Sequence, residues 1–353
     1  MWASGLYGYL FDYLWWWAAC ASLIVHTWCF FRFFPRDRRP RIRLVLGNTL
    51  ATLCLLSVVG IGAETYLRFF YTDTDAFGVT LTAKRWLKVY PKLNSWYCRD
   101  IEWTEGKPDG VRRVAFVGDS FTYGWGIRNE DDLFVSIIRR RLAARSPGRV
   151  EVMNVAWAAW DTQNEINAIR DMAVHYDIDE VVLCHLPNDI ETLLSVSEDR
   201  NPTKPPTSTF LNVQRSFLLD YLFHRMIAPR RAVAVSYFDW LWDGYRDPAT
   251  WSTQRARYDR MIAMCAEHGV SLRIALLPFI RSWGDRYDPE ALHEQLASFF
   301  ASKRVPVVDL LPVINRIDPK ELVVNAHDPH PNERANALFA EGIRKAFFAD
   351  PAP

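Results

Sequence analysis

No lysine or arginine precedes Arg32. A cleavable secretory signal, whose positive charge comes before its apolar run, is therefore not expected. The cysteines show no zinc-type pairing: Cys20, Cys29, Cys54, Cys98, Cys184 and Cys265 are scattered along the chain. Their spacing leaves open whether all are buried free thiols or Cys98 enters a disulfide. No glycine-rich phosphate loop is present, and neither is a typical metal-ligand cluster, so no cofactor is expected. The 42 basic and 41 acidic residues leave a formal charge of +1, which gives no general attraction to nucleic acid. There is no internal repeat and no low-complexity tract.

What is present is apolar: half of the 353 residues are hydrophobic, enough for a sizeable core. Two apolar stretches open the chain, from Tyr13 to Phe31 and from Leu44 to Ala63. Each approaches the ~20 residues a helix needs to cross ~30 Å of hydrocarbon. Between them lie Arg32, Arg36, Arg38, Arg39, Arg41 and Arg43. Positive loops stay in the cytoplasm, so both flanks and the C-terminal body are expected on the far side of a lipid bilayer. Trp15, Trp16 and Trp17 suit an interfacial aromatic belt. His26 and Asn48 read as tolerated polar residues within the spans. Two buried helices of a soluble protein are the competing reading, and the six arginines between the apolar runs weigh against it.

The expected organisation is a membrane anchor over 1–70, a connector and N-terminal extension over 71–110, and a catalytic domain over 111–353. From Val111 onward short apolar runs alternate with amphipathic ones. VRRVAFVGD, VEVMNVA, EVVLCHLP, SLRIALLP and VPVVDLLP read as strands. DDLFVSIIRRRLAAR, TQNEINAIRDMAVHY and ERANALFAEGIRKAFFA read as helices. The alternation implies a parallel sheet covered on both faces. Residues 190–247 break it, with KPP, a helix around Phe217 to Ile227 and the aromatic run SYFDWLWDGY. This insert is open to two readings, a wall or lid over the substrate and surface padding.

Sites in such sheets form beyond the carboxyl ends of the strands. Those ends carry Gly118-Asp119-Ser120, then Ala159-Trp160-Asp161-Thr162, then Pro187-Asn188-Asp189. The segment before the final helix adds His327-Asp328-Pro329-His330-Pro331-Asn332. A serine hydroxyl is a weak nucleophile unless a base takes its proton, and histidine suits that task near neutral pH. An acid on the other ring nitrogen fixes the tautomer. Attack on an ester creates an oxyanion that needs positioned donors.

GDSFTYG resembles the first sequence block of the SGNH (GDSL-like) hydrolases, PND the third and DPHPN the last. The blocks fall in order over Val111 to Phe348, and NSWYCRD resembles the lead-in of membrane-tethered bacterial members. The resemblance implies a flavodoxin-like three-layer α/β/α fold with a five-stranded parallel sheet behind two transmembrane helices. It implies Ser120 as nucleophile and first oxyanion donor, Asn188 as third donor and His330 as base. The second donor falls at Ala159, where the family usually has glycine, and Leu186 replaces the glycine that often opens the third block. The family's usual acid position is His327 here; Asp328, two residues before His330, is taken as the acid. Asp119 is expected to organise its loop, His327 to be a loop residue and His185 a satisfied core residue. Trp125, Trp157 and Trp160 suit stacking on a sugar or core packing.

The activity implied is ester hydrolysis through a Ser120 acyl-enzyme on the extracytoplasmic face. The partner is an acyl ester, with cell-surface polysaccharide implied by analogy. O-acyl transfer to a sugar hydroxyl is the alternative. A non-catalytic glycan-binding or scaffold module is the reading from another class, and Ala159 with the shifted acid is its support.

Overall fold

The computed structural model describes residues 2–35, 40–194, 216–227, 230–282 and 286–349. Arg36, Arg38 and Arg39 of the basic loop, and the KPP of the insert, lie outside the described residues. Two long helices come first, α1 (Trp2–Phe33) and α2 (Pro40–Phe69), followed by α3 (Leu81–Val89). The α/β part follows as β1 (Arg112–Gly118), α4 (Ser120–Tyr123), α5 (Phe134–Arg145), β2 (Val150–Ala156), α6 (Thr162–Tyr176) and β3 (Glu180–His185). Next come α7 (Phe217–Leu222), α8 (Arg230–Arg246), α9 (Pro248–Glu267), β4 (Ser271–Leu276), α10 (Pro289–Ser302) and β5 (Val307–Asp309). The chain ends with α11 (Leu311–Ile314), β6 (Val323–Asn325), β7 (Asp328–Pro331) and α12 (Glu333–Phe347).

By contact the chain divides into two compact units. One comprises Met1–Asp73, Gly78–Arg85 and Pro206–Ala228, the other Thr74–Phe77, Trp86–Pro205 and Pro229–Pro353.

In the first unit α1 and α2 are each long and apolar enough to cross a membrane over Tyr13–Phe33 and Pro40–Phe69. Their apolar side chains are largely uncovered: Leu44 and Leu55 are each 64% exposed. Towards its end α2 turns polar. Glu64 is buried there, and its carboxylate accepts from Ser216 Oγ at 2.8 Å, Phe217 N at 3.1 Å and Leu218 N at 2.7 Å. Those amides open α7 and would otherwise lack partners, so a buried carboxylate at that helix start is matched in charge and geometry. Arg68 Nε, at 2.8 Å, completes the pairing.

The second unit is built on a parallel five-stranded sheet of order β2-β1-β3-β4-β5, the order expected for a flavodoxin-like fold. The strands are nearly continuously buried because helices cover both faces. Alternate residues of β1 serve different layers. Val114 and Phe116 face a core with Phe134, Ile138 and Phe339 of α5 and α12. Ala115 and Val117 face another with Ile169, Met261 and Leu296 of α6, α9 and α10. The aromatic run of the insert is helical: α8 places Leu241, Trp242 and Tyr245 in that second core. The connector covers the outer edge of β2, where Asp100 Oδ2 accepts from Asn154 N at 2.8 Å and the Arg99 carbonyl from Asn154 Nδ2 at 3.3 Å. All six cysteines are free thiols, Cys98 included.

Candidate active site

The site lies at the carboxyl ends of β1, β2 and β3, on either side of the switch in strand order. At Gly118 a side chain is impossible: a Cβ would stand 2.3 Å from Thr122 Oγ1 and 2.9 Å from the Cys184 carbonyl. This close approach lets the chain turn sharply from β1 into α4. Asp119 caps α4 by accepting from Phe121 N at 3.0 Å. The turn ends at Gly124, which has φ +79° and whose own Cβ would fall 2.0 Å from Leu133 Cδ2.

Ser120 is the first residue of α4 and stays half-buried. His330 Nε2 lies 2.9 Å from Ser120 Oγ, and His330 Nδ1 lies 2.5 Å from Asp328 Oδ1. The same Asp328 oxygen accepts from the His330 backbone N–H at 3.1 Å. Asp328 is fully buried and the imidazole nearly so. Phe121 and Trp125 pack beside the ring at centroid distances of 5.3 and 6.0 Å. The segment expected as a loop is a strand: β6 and β7 pair antiparallel as a hairpin, with a register shift between Val323 and Asn325.

Asn188 follows β3 and donates through Nδ2 to Asp119 Oδ2 at 3.2 Å, leaving its second N–H for another acceptor. Asp119 thus ties Phe121 and Asn188 to one loop. Burial pushes its carboxyl above the ordinary range, and the hydrogen bonds from Phe121 and Asn188 pull it partly back. Ala159 is exposed with φ +64°, in a turn closed by Trp160 N to the Trp157 carbonyl at 3.3 Å. Glycine is the residue that reaches this φ without steric cost, so Ala159 holds a backbone shape that its Cβ disfavours. Asp161 then caps α6 reciprocally with Asn164, and Thr192 Oγ1 donates to Asp161 Oδ2 at 2.5 Å, joining the second and third loops.

His327 is not brought into the Ser120–His330 line: its N–H donates to Asn325 Oδ1 at 2.7 Å and its carbonyl accepts from Ala76 N at 3.2 Å. The tryptophans serve packing. Trp125 is buried against Trp86 and donates to the Asp75 carbonyl at 3.2 Å. Trp157 meets Tyr123 edge-on, and Trp160 packs half-buried on a core cluster.

Arg99 lies within the NSWYCRD segment, but no role was expected of it from the sequence. Its guanidinium is buried, donates to the Gly124 carbonyl at 2.7 Å and the Ile127 carbonyl at 2.8 Å, and stacks over Trp86 at 5.4 Å. It holds the far end of the loop that carries Ser120. A lone arginine in a connector gave no signal of this, because its partners are main-chain carbonyls. A buried cluster of Glu165, His185 and Asp189 was equally hidden; one ligand-type atom from each lies within 4.8 Å of the others.

Residues 116–338 match the sequence model of the GDSL-like Lipase/Acylhydrolase family. Among solved structures, the chain is similar to a lipolytic protein of the G-D-S-L family from Veillonella parvula. Identity is 19% and the TM-score 0.42, covering 67% of this chain and 99% of that one. It is also similar to the psychrotrophic esterase EstA from Pseudoalteromonas, at 9% identity and a TM-score of 0.41 over 67% and 97% of the two chains. An acetyl xylan esterase gives 13% identity and a TM-score of 0.39 over 67% and 99%. No curated protein matches the chain.

Proposed function

The chain belongs to the GDSL-like lipase/acylhydrolase family, hydrolases acting on ester bonds, and from that premise we propose that Ser120 forms its acyl-enzyme. The observation that carries this reading is the continuous line Ser120 Oγ, His330 Nε2, His330 Nδ1, Asp328 Oδ1, with contacts of 2.9 and 2.5 Å. His330 Nε2 takes the hydroxyl proton as Ser120 Oγ bonds to the acyl carbon. The negative charge on the carbonyl oxygen is met by the backbone N–H groups of Ser120 and Ala159 and by the Asn188 amide. The C–O bond to the leaving alcohol breaks, and the alcohol departs with the proton from His330. Water then repeats the sequence: it loses a proton to His330, attacks the acyl carbon, and frees the acid and Ser120. Asp328 stabilises the imidazolium of each step without itself taking the proton. The non-catalytic reading has no use for this line of three side chains.

The same proposal places the reaction outside the cytoplasm, on a two-helix anchor. Buried core helices would cover their apolar faces; Leu44, Leu55 and Val59 are instead more than half exposed. Arg32, Arg41 and Arg43 sit at the ends of the two spans next to the loop that joins them, which favours the cytoplasm for those ends. An O-acyl ester of cell-surface polysaccharide is the substrate class such a position favours. Two experiments test the reading. Ser120→Ala should abolish hydrolysis of a soluble ester with the fold intact. A reporter fused after Pro353 should register outside the cytoplasm, and a cytoplasmic signal would overturn the topology.

A further inference from the structure

Beneath the loops that carry Ala159 and Asn188 lies a buried polar cluster that the reaction does not use. Glu165 on α6, His185 at the end of β3 and Asp189 beside Asn188 have no exposed surface. Asp189 Oδ2 lies 2.6 Å from His185 Nδ1, and His185 Nε2 lies 3.2 Å from the Tyr258 hydroxyl. The Thr162 hydroxyl accepts from Gln254 Nε2 at 2.6 Å and donates to the Asp189 carbonyl at 3.5 Å. Thr162 opens α6, directly after the Ala159 turn. The cluster therefore underlies both loops at once. Neither oxygen of Glu165 has a hydrogen-bond partner among the described residues.

Two ionised carboxylates cannot rest here. Each unpaired buried charge costs several kcal/mol. Among the described residues the charged groups acting on the pair are all acidic, and His185 is driven down to about 3 by burial and is neutral. Around the pair stand Asp119, Asp161 and Glu191, all acidic, with Tyr245 and Tyr258. A double negative charge would also oppose the oxyanion that forms above it. A proton on Glu165 resolves both problems, since it removes one charge and supplies an O–H donor on a carboxyl group with an oxygen within 4.8 Å of an Asp189 oxygen.

We infer that Glu165 is held as the neutral acid, shares its proton with Asp189, and through this pair positions the two loops that supply Ala159 N–H and the Asn188 amide. Burial acts in the same direction, pushing both carboxyl groups well above the ordinary carboxylate range. The role is that of a positioning residue, and it rests on the assignment of Ser120 as nucleophile.

Full-length protein in detergent, as wild type, E165Q and E165A, tests this. Glutamine has the shape and neutrality of the protonated acid. E165Q should label with a fluorophosphonate within about threefold of the wild-type rate, while E165A, which leaves a cavity under both loops, loses about tenfold or more. With a soluble ester, the E165A loss should fall on kcat rather than KM. The wild-type minus E165Q infrared difference spectrum should contain the C=O band of a protonated carboxyl group. Since E165A can fail to fold, E165Q and the infrared band decide. A folded E165Q with a tenfold loss overturns the inference, as does absence of the band. So does a divalent metal ion retained by the wild type and lost in E165Q, since the three side chains would then be its ligands. If wild type takes no label at all, the nucleophile assignment fails alone, and the band still decides whether Glu165 is neutral.

Discussion

Asp328 and His330 stand two residues apart on β7, and one Asp328 oxygen holds both the His330 imidazole, at 2.5 Å, and its backbone N–H, at 3.1 Å. Residues at this separation on a strand leave by the same face. The extended backbone therefore brings a carboxylate two residues before the histidine to Nδ1, and an acid three residues before would leave by the opposite face. The strand geometry thus suits an acid two residues before the histidine, the position at which Asp328 stands.

If Asp328 orients His330, Asp328→Asn lowers turnover by about 10²–10⁴, because the amide favours the wrong tautomer and cannot steady the imidazolium. His330→Ala, which removes the base, costs more. His327→Ala stays near wild type, since Asp328 already holds His330 Nδ1. Initial rates on a soluble ester, with circular dichroism to verify folding, separate the three. A folded Asp328→Asn enzyme at wild-type rate would leave a Ser120–His330 dyad in place of the triad.

Ala159 holds a left-handed backbone that its Cβ disfavours. Ala159→Gly relieves that strain, and the gain exceeds the entropy glycine adds to the unfolded chain, so stability rises by about 0.5–1 kcal/mol. Turnover survives, because the group used is a main-chain N–H. Thermal unfolding of the pair measures this, and a lower melting temperature for the glycine variant would contradict it.

Glu191 follows Asn188 by three residues and accepts a hydrogen bond from the Tyr237 hydroxyl. Burial raises its carboxyl from 4.5 to about 7, the Tyr237 bond offsetting part of the rise. The folded state thus keeps a proton that the unfolded chain gives up. Its contribution to stability is fully present below pH 4.5 and is lost as pH rises through about 7. Glu191→Gln, which never ionises, removes that decline and is more stable at pH 8, by on the order of 2–3 kcal/mol. Melting curves of both proteins between pH 4 and pH 8 test it; parallel curves would contradict it.

Much of this architecture was legible in the sequence, and the misses have physical causes. VEVMNVA and TQNEINAIRDMAVHY coincide with β2 and α6, because a strand covered on both faces reads as a short apolar run, while a helix buried on one face shows its period and Asp161 marks its start. The Ser120, Asn188 and His330 segments were found because each sits where a strand or hairpin ends. Asp328-Pro329-His330-Pro331 did not read as a strand, since two prolines suit only an edge such as a two-stranded hairpin. The α8 run SYFDWLWDGY lacked an alternating pattern because it is helical, with Tyr237 and Phe238 against Phe279 and Tyr245 against Trp251. Glu165 gave no sign at all: on a helix, an acidic residue reads as solvated surface, and only the fold places it at zero exposure beside Asp189.

The central claim is that Ser120 is the group that bonds to the acyl carbon. Labelling the full-length protein with a fluorophosphonate, followed by mass spectrometry of its peptides, tests that directly. A single adduct on Ser120 is expected, lost in Ser120→Ala and strongly slowed in His330→Ala. An adduct on another residue, or none on a folded wild-type protein, would contradict it.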